Sequence, residues 1–434
     1  MTCYQEEYRK KCRPVEEIAA MVQPGQSRWS DIMLAQPAVL LGAIGAHVRA
    51  RGLTGMKLFT SIDLKPLPCF EPDMPGKLTG VTLFCGQYAR QAVNNGYGDV
   101  LPGYYRDYPD IIREKQTVDV FCASVSPMDR HGFFSMGTVA SMSEAMLERA
   151  KYVFLEVNPR VPRALSGPAI HISQVTALFE HESPLPVLPD TELDEVSTAI
   201  GALIAEEIPD GATLQLGIGS IPNAVGHALK DKRHLGIHSE MFTDSMVELI
   251  TCGAVDNLRK PIHRGRSVAT FAFGSQRIYD YIDDNRAIEL LPVDYVNDPA
   301  VIAAHPNFVS VNSAIETDFF GQVAAESVGT RQISGTGGQS DFVRGAVQSK
   351  GGMSFIAFPS TAKGGEQSKI VPTLTPGAIV TTSKNDVDNI VTEYGIARLR
   401  GKTLSQRTKA LIAIAHPKFR DELTYLAKKQ NILI

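Results

Sequence analysis

The chain has 434 residues, 44% of them hydrophobic, which is enough to bury substantial cores and suggests two or three domains. Its 43 Lys and Arg against 47 Asp and Glu leave a net charge of -4 with no charge runs, so nothing points to a nucleic-acid partner. Six cysteines (Cys3, Cys12, Cys69, Cys85, Cys122, Cys252) form no C-x-x-C pair and no group with His, and no apolar run approaches the ~20 residues of a membrane span. Neither a disulfide framework nor a metal site is expected, and the charged stretch Met1 to Pro14 is no export signal, so the expectation is a soluble cytoplasmic protein with no membrane partner.

Along the chain, the apolar runs 118–125 and 152–157 predict strands, and the pattern from Val139 to Lys151 between them predicts a helix. Ser183-Pro184-Leu185-Pro186-Val187-Leu188-Pro189-Asp190 follows, where three prolines in six residues forbid a helix and suit an extended connection. Beyond it the rhythm resumes: strand 213–217, helix 222–230, strand 235–238, helix 244–251, then strands near 268–273, 308–312, 354–358 and 379–382. Alternation of this kind predicts an α/β protein with mostly parallel sheets, divided into domains at 1–187 and 188–434.

Three segments carry chemistry. Gly236-Ile237-His238-Ser239-Glu240 leads a carboxylate out of a short apolar strand, where a reacting group can be held rigidly, and Glu240 is the candidate nucleophile. Gly217-Ile218-Gly219-Ser220-Ile221-Pro222 reads as strand, tight turn and helix, with backbone N–H groups presented to an anion. Ser334-Gly335-Thr336-Gly337-Gly338-Gln339 has three glycines in four residues, a density tolerated where a ligand must approach the backbone. His238, two residues before Glu240, reads as a core or supporting side chain.

These segments, with Val391-Thr392-Glu393-Tyr394-Gly395-Ile396-Ala397 and Ser368-Lys369-Ile370-Val371-Pro372 in the same order, resemble the 4-hydroxybutyrate CoA-transferase and acetyl-CoA hydrolase/transferase family. The likeness is dense from about Asp190 onward and thinner upstream. It implies two CoA-transferase-type (NagB/RpiA-like) α/β domains with the active site between them, the catalytic Glu240 on the second and the 56–76 and 126–132 regions shaping the acid pocket. It further implies coenzyme A and acyl-CoA as substrates, no permanently bound cofactor, and a homo-oligomer. By the same resemblance the N–H of Ile218 and of Gly337 or Gly338 form an oxyanion hole, and Gly217, Gly219, Gly335, Asn312, Lys369 and Glu393 contact CoA or substrate. Glu393 reads equally as a core-edge carboxylate satisfied by hydrogen bonds.

A carboxylate nucleophile suits this chemistry, because it can carry an acyl group as a mixed anhydride and then hold CoA as a glutamyl thioester, giving ping-pong kinetics. The CoA phosphates would be met by some of Lys363, Lys369, Arg344, Arg398 and Arg400, and a dicarboxylic acid by Lys57, Lys65, Arg130 or Arg160. The acid itself is left open among acetate, butyrate, 4-hydroxybutyrate and dicarboxylates such as itaconate or succinate. Two other readings stay open: an acyl-CoA hydrolase using the same Glu240, and a silent CoA-binding protein.

Overall fold

The buried apolar runs assemble into two large sheets, each in a separate unit of a computed structural model that describes residues 3–189 and 192–433. Met1, and Asp190 at the end of the proline-rich connection, lie outside the described residues. The first unit comprises Met1–Leu188 with Ala269–Tyr295, and the second Pro189–Val268 with Val296–Ile434.

In the first unit seven strands, β1 (Ser27–Ser30), β2 (Met56–Thr60), β3 (Leu78–Thr82), β4 (Asp99–Val100), β5 (Val120–Val125), β6 (Tyr152–Val157) and β7 (Ala177–Glu180), lie in the order β4-β3-β2-β1-β5-β6-β7. All neighbours are parallel. All six residues of β5 are buried, as expected of a central parallel strand covered on both faces. Helix α1 (Ala38–Arg51) packs Leu40, Leu41, Ile44 and Val48 into the core beside Met56, Leu58, Leu78 and Phe154.

Just past β1 and β2 two bulky residues, Met33 (φ 50°) and Ile62 (φ 49°), occupy the left-handed region. The buried Asp63 ties these strand ends together, accepting from Gln36 Nε2 at 2.6 Å and Thr60 Oγ1 at 3.1 Å. Desolvation pushes its carboxyl up to about 6 against those two bonds.

The second unit has a six-stranded sheet of β8 (Thr213–Leu216), β9 (Gly236–Ile237), β10 (Phe308–Ser313), β11 (Met353–Ala357), β12 (Asn389–Thr392) and β13 (Gly395–Arg398), in the order β9-β8-β10-β11-β12-β13. It is parallel except for the terminal β12–β13 hairpin. Helices α2 (Glu195–Glu207), α3 (Ser220–Ala228) and α4 (Gln339–Gln348) accompany it. Its core gathers Phe319, Val343, Ile356, Phe358, Ile390, Leu399 and Leu411.

Three features depart from the sequence expectation. The second half does not stay together after position 188, because residues 269–295 join the first unit. There Phe271 bridges Val139, Ala272 N–H donates to Thr138 O, and the Tyr279 hydroxyl donates to Pro186 O at 2.5 Å. Residues 379–382 form no strand: Ile379 and Val380 are exposed, Thr382 makes one bridge to Val323, and β12 follows instead. The helix expected over 139–151 is confined to Ser143–Arg149, since Val139 is taken by the bridge to Phe271. No helix among the described residues is long and apolar enough to cross a membrane.

Candidate active site

The segment that carries Glu240 is pinned residue by residue. Ile237 N–H donates to Asn257 Oδ1 at 2.8 Å, and the Ile237 carbonyl accepts from the buried Lys260 ammonium at 2.8 Å. His238 N–H donates to Leu214 O at 3.1 Å and Ser239 N–H to Val268 O at 3.0 Å, while Ser239 Oγ reaches Leu216 O at 3.4 Å. Lys260 gives a second bond to Arg266 O at 2.7 Å, and its methylenes lie over Gly236 so closely that a Cβ there would come within 2.7 Å of Lys260 Cγ. Glu240 therefore leaves the sheet edge on a backbone with little freedom.

The Glu240 carboxylate is held by one side-chain donor and backed by the Gly338 backbone. Asn297 Nδ2 donates to Oε2 at 2.8 Å, and the Gly338 backbone lies against the same oxygen, close enough to favour the charged form. Gly338 is the N-cap of α4, so the negative charge sits where the helix dipole and free N–H groups favour it. Burial pushes the carboxyl up to about 7, with Asn297 and Gly338 pulling in the opposite direction. The side chain keeps part of its surface open. A carboxyl poised near neutrality is still available as an ion, and that ion is more basic than an ordinary carboxylate, which suits a nucleophile.

Gly338 has an unexceptional φ of -94°, and its need for glycine is one of space. A Cβ there would lie 2.0 Å from Glu240 Oε2 and 2.3 Å from Asn297 Nδ2. Gly337, at φ 55°, turns the chain into the helix through the left-handed region. The loop is braced by Thr336 Oγ1 on Glu326 Oε2 (3.2 Å) and by Gln339 Nε2 on Ser313 O (2.8 Å). The other glycine turn enters α3 with Gly219 at φ 110°, and it leaves Ile218 54% exposed with no hydrogen bond on its N–H among the described residues. Gly217 N–H donates to Val311 O at 3.3 Å.

Of the remaining sequence candidates, Asn312 pairs with Gln215, donating from Nδ2 to Oε1 at 3.2 Å. Glu393 accepts from the Ser360 N–H at 2.8 Å and from its hydroxyl at 2.5 Å, the arrangement of a satisfied carboxylate. Lys369 lies close enough to feel Glu393, donates to Ala314 O at 3.2 Å, and is pushed below the usual lysine value by burial. Arg344 pairs with Asp386 and Arg398 with Glu207, and Arg400 donates to Val347 O. Lys363 is exposed at φ 50°, beside Gly364 and Gly365. In the first unit Lys57 is exposed, Arg130 donates to His131 Nε2 and Arg160 to Glu182; Lys65 lines a cavity of about 20 Å³ with Glu156 and Asn158. Among the described residues no group of three or more His, Cys, Asp or Glu could hold a metal ion.

Asn297 was not singled out by the sequence. It lies 57 positions from Glu240, and its one local signal is the Asn-Asp-Pro run, in which Asp298 caps the helix Pro299–Ala303 by accepting from Ala300 N–H at 2.9 Å.

Residues 1–189 match the acetyl-CoA hydrolase/transferase N-terminal domain and residues 274–427 its C-terminal domain. The chain is 45% identical over 429 residues to the succinyl-CoA:cyclohexane-1-carboxylate CoA transferase of Geobacter metallireducens, spanning 99% of this chain and 97% of the relative. The chain belongs to the acetyl-CoA hydrolase/transferase family. Within the family it is also 48% identical over 349 residues to the 4-hydroxybutyrate coenzyme A transferase of Clostridium kluyveri, covering 80% of this chain and 81% of that one. The solved structure of RipA from Yersinia pestis superposes with a TM-score of 0.95 at 36% identity, covering 100% of both chains. The α/β fold with large parallel sheets is thus that of a family structure, and the chain is an enzyme of the CoA-transferase class.

Proposed function

We propose that this enzyme moves CoA from an acyl-CoA, such as acetyl-CoA or succinyl-CoA, to a short-chain carboxylic acid through a glutamyl-CoA thioester on Glu240. The observation that carries the reading is the anchoring of one carboxylate oxygen, Oε2, by Asn297 at 2.8 Å, with Gly338 packed against the same oxygen. Oε1 is then the attacking atom. It adds to the thioester carbonyl, the C–S bond breaks, and a mixed anhydride and CoA thiolate result. The thiolate attacks the glutamyl carbonyl, expels the first acid as its carboxylate, and leaves glutamyl-CoA. An incoming acid then runs the same steps in reverse.

Because Gly338 is packed against Glu240 Oε2, the oxyanion donors in this reading are the N–H groups of Ile218 and Gly337, each worth about 3 kcal/mol of barrier. Lys369 and Glu393 are offered as contacts to the CoA chain, and a homo-oligomer is expected. The names of the relatives favour a monocarboxylic acid or succinate as the acid partner.

Intact mass after incubation with acyl-CoA alone tests the proposal. A CoA-sized adduct that is lost in Glu240→Ala and discharged by an added acid, with a new acyl-CoA formed, supports it. Steady release of free CoA without an acceptor makes the enzyme a hydrolase, and binding without turnover makes it a silent CoA-binding protein.

A further inference from the structure

Asn297 is fully buried, yet its side chain makes a single bond, to Glu240, and its Oδ1 has no hydrogen-bond partner among the described residues. A side chain so lightly held takes its aim from its backbone. Downstream, that backbone is fixed by Asp298 capping the helix Pro299–Ala303. Upstream, it is fixed by the carbonyl of Val296, which lies 2.7 Å from His238 Nε2.

A carbonyl oxygen only accepts, so Nε2 must carry the proton and the imidazole is held in one tautomer, leaving Nδ1 as a buried acceptor with no partner among the described residues. The ring is fully buried, 5.0 Å from the ring of His305 and edged by Phe308 and Phe342. Burial, with the neighbouring His305, Lys260 and His263, pushes its pKa far below the ordinary histidine value, so it stays neutral. Its backbone is in the segment that delivers Glu240, while its ring grips the segment that delivers Asn297.

We propose that His238 is a positioning residue for the transfer step, setting Asn297 against the Glu240 carboxylate through the Val296 carbonyl. The inference rests on Glu240 being the nucleophile. It predicts that loss of the imidazole N–H lets Asn297 drift and the carboxylate lose its alignment. A misplacement on the order of 1 Å in such a group costs about 100-fold in rate.

The test compares wild type, His238→Phe, His238→Gln, Asn297→Ala and the double variant His238→Phe/Asn297→Ala. Each is mixed with acetyl-CoA or succinyl-CoA, and glutamyl-CoA formation is followed by quenched mass spectrometry beside steady-state kinetics and thermal melts. The expected result is a fall of about 10- to 100-fold in the rate of adduct formation for His238→Phe, with KM for the acyl-CoA unchanged. His238→Gln, whose side-chain amide can donate to the same carbonyl, recovers most of the loss. In the Asn297→Ala background His238→Phe costs less than about 3-fold more, because both changes remove one device.

A folded His238→Phe that forms the adduct at the wild-type rate overturns the proposal. So do full multiplication of the two losses, and a folded His238→Gln as slow as Phe. Persistence of the adduct in Glu240→Ala is a different result, which removes the nucleophile assignment itself.

Discussion

Replacing Gly338 by Ala puts one methyl group into the tightest contact of the candidate site. The added Cβ would start 2.0 Å from Glu240 Oε2 and 2.3 Å from Asn297 Nδ2. To reach an ordinary separation of about 3.4 Å the oxygen must retreat by about 1.4 Å, and the amide that holds it must move too. The backbone angle, φ -94°, suits alanine, so the change acts on the carboxylate rather than on the fold of the loop. Displacement of a nucleophile by more than an ångström costs about 100-fold in rate, while the overpacking costs about 1–3 kcal/mol of stability. Burst kinetics of glutamyl-CoA formation, read beside a melting curve, check both figures. A Gly338→Ala enzyme that melts as a folded protein and forms the adduct within about 3-fold of wild type would refute the placement of Glu240 against this glycine.

Three further outcomes follow from the same geometry. Glu240 has its folded carboxyl raised from 4.5 to about 7, so the folded state holds a proton that the unfolded state has released. Its contribution to stability is therefore lost as pH rises from about 4.5 through 7, by no more than about 3 kcal/mol. Glu240→Gln should match wild type in melting near pH 4.5 and exceed it above pH 7.5, a difference in which the opposite acid-side contributions of the buried His238 and His305 cancel; equal melting at all pH values would contradict the burial of this charge. Adduct formation in wild type should rise with pH through about 7, and a profile flat from pH 5 to 9 in single-turnover rates would contradict the assignment. Lys260→Met leaves the carbonyls of Ile237 and Arg266 without their ammonium donor and should cost about 2–4 kcal/mol in urea unfolding, with wild-type stability as the refuting result.

The elements that formed as read from the sequence are those whose burial is local. Strands 120–125 and 152–157 are largely apolar runs in a parallel sheet, where burial on both faces writes itself into consecutive residues, and 213–216 is buried throughout with Leu214 and Leu216 as its apolar signal. Glu240 and the 334–339 loop were visible because a strand end and dense glycines are local signals too. Asn297 was not, because its meaning is a contact between positions 57 apart, and Asn312, the amide suggested by resemblance, is occupied with Gln215. The 379–382 run misled for the opposite reason: Ile379 and Val380 are apolar yet 43% exposed, and no neighbour turns them into a strand. Ser360, which satisfies Glu393 at both oxygens, carries no pattern of its own.

The return of residues 269–295 to the first unit bears on how the gene can be divided. The chain passes between units three times, so a single stop or start codon in the proline-rich connection separates no complete part. A product spanning 189–434 would carry Phe271, Ile278, Tyr279, Ile282, Ile288 and Leu290 stripped of the surroundings that leave each at most 2% exposed, and it should aggregate rather than fold. Glu240 and Asn297 also fall on opposite sides of this excursion, so insertions or splice points between 241 and 296 would uncouple the carboxylate from its anchor even where every strand survived.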